Sequence, residues 1–286
     1  MKSPALTLSF VKMNPSGNTT ILITDSVDRS LHGLVARTLM EPLYLCAEQV
    51  GFVEEPTDPR AAARLQMMAG EFCGNASRAV AALLADRGGG PRGGDSVTIT
   101  LEVSGSDSLV EARVTPTGPE SWWTDVQVPG PRAVRETTAM IAGKPVTAFC
   151  VTLPGIEHVV LDRVSPALEL YEALLEQRLF SADSDARGVM FWDSVEGTVV
   201  PLVAVGSETL VWEGSCGSGS VAVASVAAQR MGQSVNNLVL RQPHGELTVS
   251  VRLNEQGCTH PSITGAVIKG PVERIASGQV TLPAGS

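Results

Sequence analysis

The sequence reads as an α+β protein with largely antiparallel sheets, on three observations. Short apolar, β-branched runs greatly outnumber helical stretches. Clusters of Gly, Pro, Asn and Ser separate those runs, with no regular series of crossover helices between them. An alanine-rich helix headed by Cys-Gly occurs twice, once in each half of the 286 residues.

The elements follow in order. Leu6–Met13 and Thr19–Thr24 read as strands around the turn Asn14-Pro15-Ser16-Gly17-Asn18. Leu31, Leu34, Val35 and Leu39 recur at helical spacing and predict a helix over Asp28–Met40. Leu43–Val53 and Leu65–Met68 read as strands. The helix after Cys73 runs to about Asp86 and stops at Gly88-Gly89-Gly90-Pro91. Strands follow at Val97–Val103, Leu109–Val114 and Thr124–Val128, and Val128-Pro129-Gly130-Pro131 reads as a linker. Beyond it come strands Val146–Leu153 and Val159–Val164, a helix over Ala167–Leu179, and strands Val189–Trp192 and Val199–Val205. The second Cys-Gly helix spans Gly217–Met231. Strands Leu238–Arg241, Leu247–Leu253 and Ile263–Ile268 come next, with a separate short strand at Gln279–Leu282.

Residues 73–85, CGNASRAVAALLA, and residues 216–228, CGSGSVAVASVAA, share seven of 13 positions. Their offset, 216 − 73 = 143 residues, is half the chain. Alanine-rich composition accounts for the Ala and Val matches. It does not account for Cys-Gly at both starts, with Ser three residues after each Gly. Duplication into two domains is the simplest reading.

Composition narrows the function. The chain carries a net charge of −9 with scattered Lys and Arg, which argues against nucleic acid and anionic membranes as partners. No segment has the apolar length of a membrane span, and Met1-Lys2-Ser3-Pro4-Ala5 lacks the apolar stretch of a signal peptide. A soluble, cytoplasmic protein is expected. Cys46, Cys73, Cys150, Cys216 and Cys258 are odd in number and widely spaced, without a zinc-type cluster, so free thiols are expected. Cys46 and Cys150 lie in apolar runs and read as core-filling; Cys258 reads as a loop residue.

Cys73 and Cys216 are different. A thiol at a helix N-terminus faces unpaired N–H groups and the positive end of the helix dipole, which favour the thiolate. The same N–H groups can hold a carboxylate. Two such groups of similar basicity, one on each face of an α-carbon, can remove a proton from one side and return one to the other. That is the requirement of racemisation, and it demands neither a metal nor a pyridoxal group.

These motifs carry a family resemblance over nearly the whole chain. Lys12-Met13 through Gly17-Asn18, Phe72-Cys73-Gly74-Asn75-Ala76-Ser77-Arg78, Gly155-Ile156-Glu157-His158, Cys216-Gly217-Ser218-Gly219 and Gly270-Pro271 resemble the signature segments of the diaminopimelate epimerase-like family of two-cysteine, cofactor-independent racemases. The resemblance implies two pseudo-symmetric domains, each a largely antiparallel sheet or barrel around a central helix. They would comprise residues 1–130 with the C-terminal 266–286, carrying Cys73, and residues 131–265, carrying Cys216. It implies Cys73 and Cys216 as catalytic bases, with the backbone N–H groups of Gly74, Asn75, Gly217 and Ser218 on the substrate carboxylate and Asn18 as a side-chain contact. It also implies a small amino-acid substrate, no cofactor and a homodimer.

The departures bear on the substrate. Ile156 replaces the asparagine of the G-N-P-H segment, Arg64 stands where an Asn is expected, and Ser207-Glu208 replaces a Glu-Arg pair. Without that Arg, the distal carboxylate of diaminopimelate loses its partner. The pattern is most similar to the histidine racemases of staphylopine-type metallophore pathways. On that resemblance Glu208 and Glu213 are candidates for the substrate ammonium, and Glu157 for a bond from an imidazole. His32, His158, His244 and His260 are unclustered and read as structural or surface residues. Diaminopimelate epimerase with an unusual distal pocket stays open as an alternative, as does a non-catalytic thiol-redox or ligand-binding protein. An isomerase of the phenazine-biosynthesis type fits less well, because that type works with a carboxylate in place of the thiol pair.

Overall fold

A computed structural model describes residues 5–88, 95–181, 186–205, 209–254 and 262–283. The chain divides into two compact units. One comprises Met1–Val126 with Gly270–Ser286, the other Gln127–Lys269.

The first unit contains β1 (Leu6–Pro15), β2 (Thr20–Ile23), α1 (His32–Met40), β3 (Gln49–Glu54), β4 (Ala63–Met67), α2 (Gly74–Arg87), β5 (Val97–Val103), β6 (Val110–Gly118) and most of β7 (Ser121–Val128). The second contains β8 (Ala133–Ile141), β9 (Lys144–Leu153), β10 (Ile156–Asp162), α3 (Glu169–Glu176), β11 (Ala186–Asp193), β12 (Thr198–Val205), β13 (Thr209–Trp212), α4 (Gly217–Met231), β14 (Val235–Gln242) and β15 (Gly245–Leu253). The last strand, β16 (Ile263–Leu282), contributes its first part to the second unit and its remainder to the first.

The sheet is mixed. Within the first unit the order is β16–β1–β2–β3–β4–β5–β6–β7; β2–β3 and β4–β5 pair in parallel, and the other pairs in this order are antiparallel among the described residues. Within the second it is β8–β9–β10–β11–β12–β14–β15–β16, and only β10–β11 and β12–β14 are parallel. The four α-helices among the described residues therefore do lie in crossovers: α1 and α2 bridge the parallel pairs of the first unit, α3 and α4 those of the second. This corrects the expectation of turns alone, since parallel neighbours need a long connection.

Small side chains determine where α2 and α4 go. A helix that is apolar on all sides is a buried helix. In α2 the residues from Gly74 to Leu83 are all buried, and α4 is buried from Gly219 to Ala228. Alanine, serine and valine at these positions let strands approach from several directions. Accordingly α2 packs against β1, β2, β4, β5 and β6, and α4 against β8, β9, β10, β11, β14 and β15. Gly232, in the left-handed conformation at φ 66°, ends α4. The amphipathic α1 instead covers one apolar cluster with Val35 and Leu39 over Ile21, Ile23, Val50 and Phe52. In the second unit Leu174 of α3 joins Val159, Leu161, Val189 and Phe191 in another.

Other expectations need correction. Residues 43–48 are not strand: β3 begins only at Gln49, and Leu43 is 95% exposed. Cys46 accordingly sits at an exposed turn with φ 48°, not in the core. Cys150 is half-buried in β9 beside the second unit's apolar cluster, as a filling residue should be. The strands expected at Ile263–Ile268 and Gln279–Leu282 are one continuous strand through Gly270-Pro271. The helix expected over Ala167–Leu179 is confined to Glu169–Glu176. Trp122 is buried and Trp123 is 37% exposed. Glu208, Cys258, His260 and Gly89–Pro91 lie outside the described residues.

Candidate active site

Each Cys-Gly helix starts in the same way. Cys73 is the N-cap of α2 (φ −131°, ψ 111°), and its sulfur accepts from the Ala76 N–H at 3.4 Å. Cys216 is the N-cap of α4 (φ −117°, ψ 112°), and its sulfur accepts from the Gly219 N–H at 3.4 Å. In both helices the residue four positions on, Ser77 or Ser220, donates its hydroxyl back to the cysteine carbonyl, at 2.8 and 2.7 Å. An N-cap side chain satisfies one of the orphan N–H groups of a helix start. A sulfur in that role sits where the helix dipole favours negative charge.

The surroundings then diverge. Cys73 is half-buried, and its thiol donates to Gln49 Oε1 at 3.1 Å. The Gln49 amide donates to Asn18 Oδ1 and Thr20 Oγ1, both at 2.7 Å. Asn75 donates to Asn18 Oδ1 at 3.2 Å, and Asn18 donates to Glu48 Oε2 at 2.7 Å. Two expected residues, Asn18 and Asn75, thus meet in one buried amide network that leads to Cys73. Gln49 and Glu48 belong to it as well and were not anticipated; both fall in the run read as strand.

Cys216 is buried. Burial pushes its thiol well above the ordinary range, and the Glu213 carboxylate beside it adds to that; bonds from Ser218 and Gly219 oppose both. Burial and Glu213 together thus favour the protonated thiol at Cys216. Glu213, expected to meet an ammonium, acts on this thiol. Ser218 Oγ lies 3.5 Å from Cys216 Sγ and 2.9 Å from His158 Nε2. The Cys216 N–H donates to Gln242 Oε1 at 2.7 Å, and Gln242 donates in turn to Ser220 Oγ at 2.9 Å.

His158 thus belongs to the surroundings of Cys216 and is no surface residue. It is fully buried, and burial pulls its imidazole down to about 3 from 6.5, opposed by a Gly188 backbone bond. The imidazole is neutral at neutral pH. A histidine held below its unfolded value stabilises the fold above about 6.5 and loses that contribution as pH falls towards about 3. His158→Gln, which keeps an acceptor for Ser218, should flatten the acid-side fall in unfolding free energy across that window. Denaturant titrations at successive pH values measure this; parallel acid-side curves for the two proteins would refute it.

Other residues singled out in the sequence have partners within the fold. Glu157 accepts from Thr152 Oγ1 at 3.1 Å and from the Ser181 N–H at 2.6 Å. Arg64 is paired with Glu102 and lies 3.6 Å from Glu54. Gly74 and Gly217 are buried first residues of their helices, and Ser218 is half-buried. Among the described residues, no group of three or more His, Cys, Asp or Glu is disposed to hold a metal ion, and no helix is long and apolar enough to cross a membrane.

Known proteins resemble this chain over almost its full length. The family model described as the histidine racemase CntK N-terminal domain matches residues 7–280. A histidine racemase of Staphylococcus aureus is 28% identical over 283 residues, spanning 95% of this chain and 97% of the relative. One of Fusobacterium nucleatum is 31% identical over 280 residues, spanning 96% and 97%. A solved hydroxyproline epimerase from Agrobacterium vitis matches with a TM-score of 0.71 at 16% identity, covering 98% of this chain and 94% of the other; it is a likeness of fold.

Proposed function

Because the chain belongs to the histidine racemase CntK N-terminal domain family, we propose that it interconverts L- and D-histidine without a cofactor, with Cys73 and Cys216 as the two proton-transfer groups. The observation that carries the roles of the thiols is their matched placement: each sulfur caps a buried helix and accepts an N–H bond at 3.4 Å.

The chemistry follows from the two environments. Cys216 holds its proton at rest, through burial and Glu213, and serves as the acid. Cys73, partly open to solvent and capping α2, serves as the base of the first half-turnover. As Cys73 takes the α-proton, Cys216 delivers one to the opposite face. The reverse reaction exchanges the two roles, so each thiol must reach both protonation states. Backbone N–H groups of Gly74, Asn75, Gly217 and Ser218 hold the carboxylate and stabilise the charge that develops on it when the α-proton leaves. Asn18 contributes a side-chain contact. Ser218 and neutral His158 supply a path by which Cys216 exchanges its proton. Glu208 and Glu213 are the two candidates for the substrate ammonium, and Glu213 would be shared between that group and the thiol.

Each half of the chain is one copy of a diaminopimelate epimerase-like domain, residues 1–130 with 266–286 and residues 131–265. The matching pairing order within each unit supports this, as do the two Cys-Gly helices. The protein acts as a cytoplasmic homodimer, and its D-histidine feeds an opine-type metallophore.

Incubation in deuterated water with L-histidine, other L-amino acids and LL-diaminopimelate tests the substrate. Histidine should gain deuterium at the α-carbon and approach a racemic mixture. Exchange confined to diaminopimelate would overturn the reading.

A further inference from the structure

Among the described residues Arg78 is the largest wholly buried side chain, on a helix half of whose other buried residues are alanine. Its guanidinium donates to Thr124 Oγ1 at 3.1 Å, Asn75 Oδ1 at 3.1 Å, Ser16 Oγ at 2.9 Å and the Pro271 carbonyl at 2.7 Å. All four acceptors are uncharged. Burying a cation among neutral acceptors is costly, and an apolar side chain of similar volume would fill the space more cheaply. Position 78 therefore asks for something besides packing.

The hydrogen bonds indicate what it is. Guanidinium is a donor only. Its bond from Nη1 fixes which end of the Asn75 amide faces it, so Asn75 Nδ2 must point to Asn18. Asn18 then presents its oxygen to Asn75 and Gln49 and its nitrogen to Glu48. Gln49 must turn its nitrogen inward, and its oxygen is left to receive the Cys73 thiol. The donor-only guanidinium at one end and the acceptor-only Glu48 carboxylate beside Asn18 thus agree on one direction for three amides in series, ending at the sulfur. The bonds to Ser16 and Pro271 tie the same guanidinium to the turn that carries Asn18 and to the returning C-terminal strand.

We propose that Arg78 is a positioning residue for Cys73: its buried guanidinium, together with the Glu48 carboxylate, fixes the direction of the Asn75–Asn18–Gln49 amide chain that holds the Cys73 thiol in place, and its positive charge favours the Cys73 anion once the proton has left. The proposal rests on the racemase reading for its kinetic consequences. Two ionisable groups act on Arg78 besides its own desolvation. Burial pulls the guanidinium down to about 9, and Asp125 and Cys73 both push it back up. At neutral pH it keeps its charge, and the attraction between it and the Cys73 anion is mutual.

The test compares wild type with Arg78→Lys, Arg78→Gln and Thr124→Val. Folding is checked by thermal melting. Two readouts are taken: histidine kcat and KM, and the pH midpoint for iodoacetamide alkylation of Cys73 located by peptide mass. Arg78→Gln, which removes the charge, should raise that midpoint by about one unit and lower kcat by about tenfold or more. Arg78→Lys keeps the charge but cannot reproduce the four bonds; it should lower kcat while the midpoint stays near wild type. Thr124→Val leaves the charge in place and frees one arm of the guanidinium. It should lower kcat in the same sense, and it serves if the Arg78 variants do not fold. Changes in KM should be smaller than those in kcat.

A merely structural Arg78 would lower the melting temperature and leave the midpoint and kcat alone; that result overturns the proposal, as does wild-type behaviour of Thr124→Val where the Arg78 variants fail to fold. If wild type racemises no amino acid but the midpoint still rises in Arg78→Gln, the racemase reading falls and the hold of Arg78 on Cys73 stands.

Discussion

Replacing either Cys73 or Cys216 by serine should reduce histidine racemisation by about 10²- to 10⁴-fold, the usual contribution of a positioned acid or base. A serine hydroxyl is a far weaker acid than a thiol, so it can neither take the α-proton as an anion nor return it readily. The double variant should be little worse than either single one, because the two groups act as a unit within one turnover. The more discriminating readout is hydrogen exchange without inversion. Cys216→Ser retains Cys73 as a base and should wash deuterium into the one enantiomer whose α-hydrogen faces Cys73. Cys73→Ser should exchange the opposite enantiomer, more slowly at neutral pH, because Cys216 is held as a thiol by burial and Glu213. Chiral chromatography with mass detection separates the two. Exchange of the same enantiomer in both variants would defeat the assignment of one thiol to each face, and undiminished racemisation in either would defeat the thiols altogether.

The parts of this site that could be read in advance are those coded locally. A cysteine followed by glycine and a run of small residues specifies an N-cap and a helix buried on every side, and both cysteines are found there. Asn18 and Asn75 could be named from their motifs. Partners fixed by the tertiary fold could not. Gln49 is separated from Cys73 by 24 residues, and His158 from Ser218 by 60; no periodicity links such pairs. The same limit explains the misread elements. Leu43, Tyr44 and Leu45 look like strand by composition, yet Leu43 and Tyr44 face solvent at a turn. Strand β8 went unnoticed because most of its side chains are exposed or half-exposed and give weak alternation. The sequence pattern leaves 269–278 outside any strand, but β16 runs on through Gly270-Pro271 with the backbone extended.

Glycine 105 offers the largest expected loss outside the reacting groups. Gly105 has φ +71°, a conformation that costs an L-residue about 1–2 kcal/mol. A Cβ there would also lie 2.4 Å from the Phe72 nitrogen and 2.8 Å from the Glu71 carbonyl carbon. Those are backbone atoms, so no side-chain rotation relieves the clash, and they belong to the two residues directly before Cys73. Something must move, and Phe72 is the neighbour that would move the sulfur with it. Gly143→Ala makes the natural comparison: φ is +74°, but nothing lies within 4 Å of the new methyl group. It should cost only the backbone strain, about 1–2 kcal/mol, with kcat unchanged. Gly105→Ala should cost about 3 kcal/mol or more in denaturant unfolding, since overpacking adds a further ~1–3 kcal/mol to the strain. Because a displacement of about 1 Å at a reacting group can cost ~10²-fold, the folded fraction should also lose activity by roughly that factor. Equal stability losses in the two variants would mean that the turn carrying Gly105 yields at no cost, and that the approach of residue 105 to Phe72 does not set the position of Cys73.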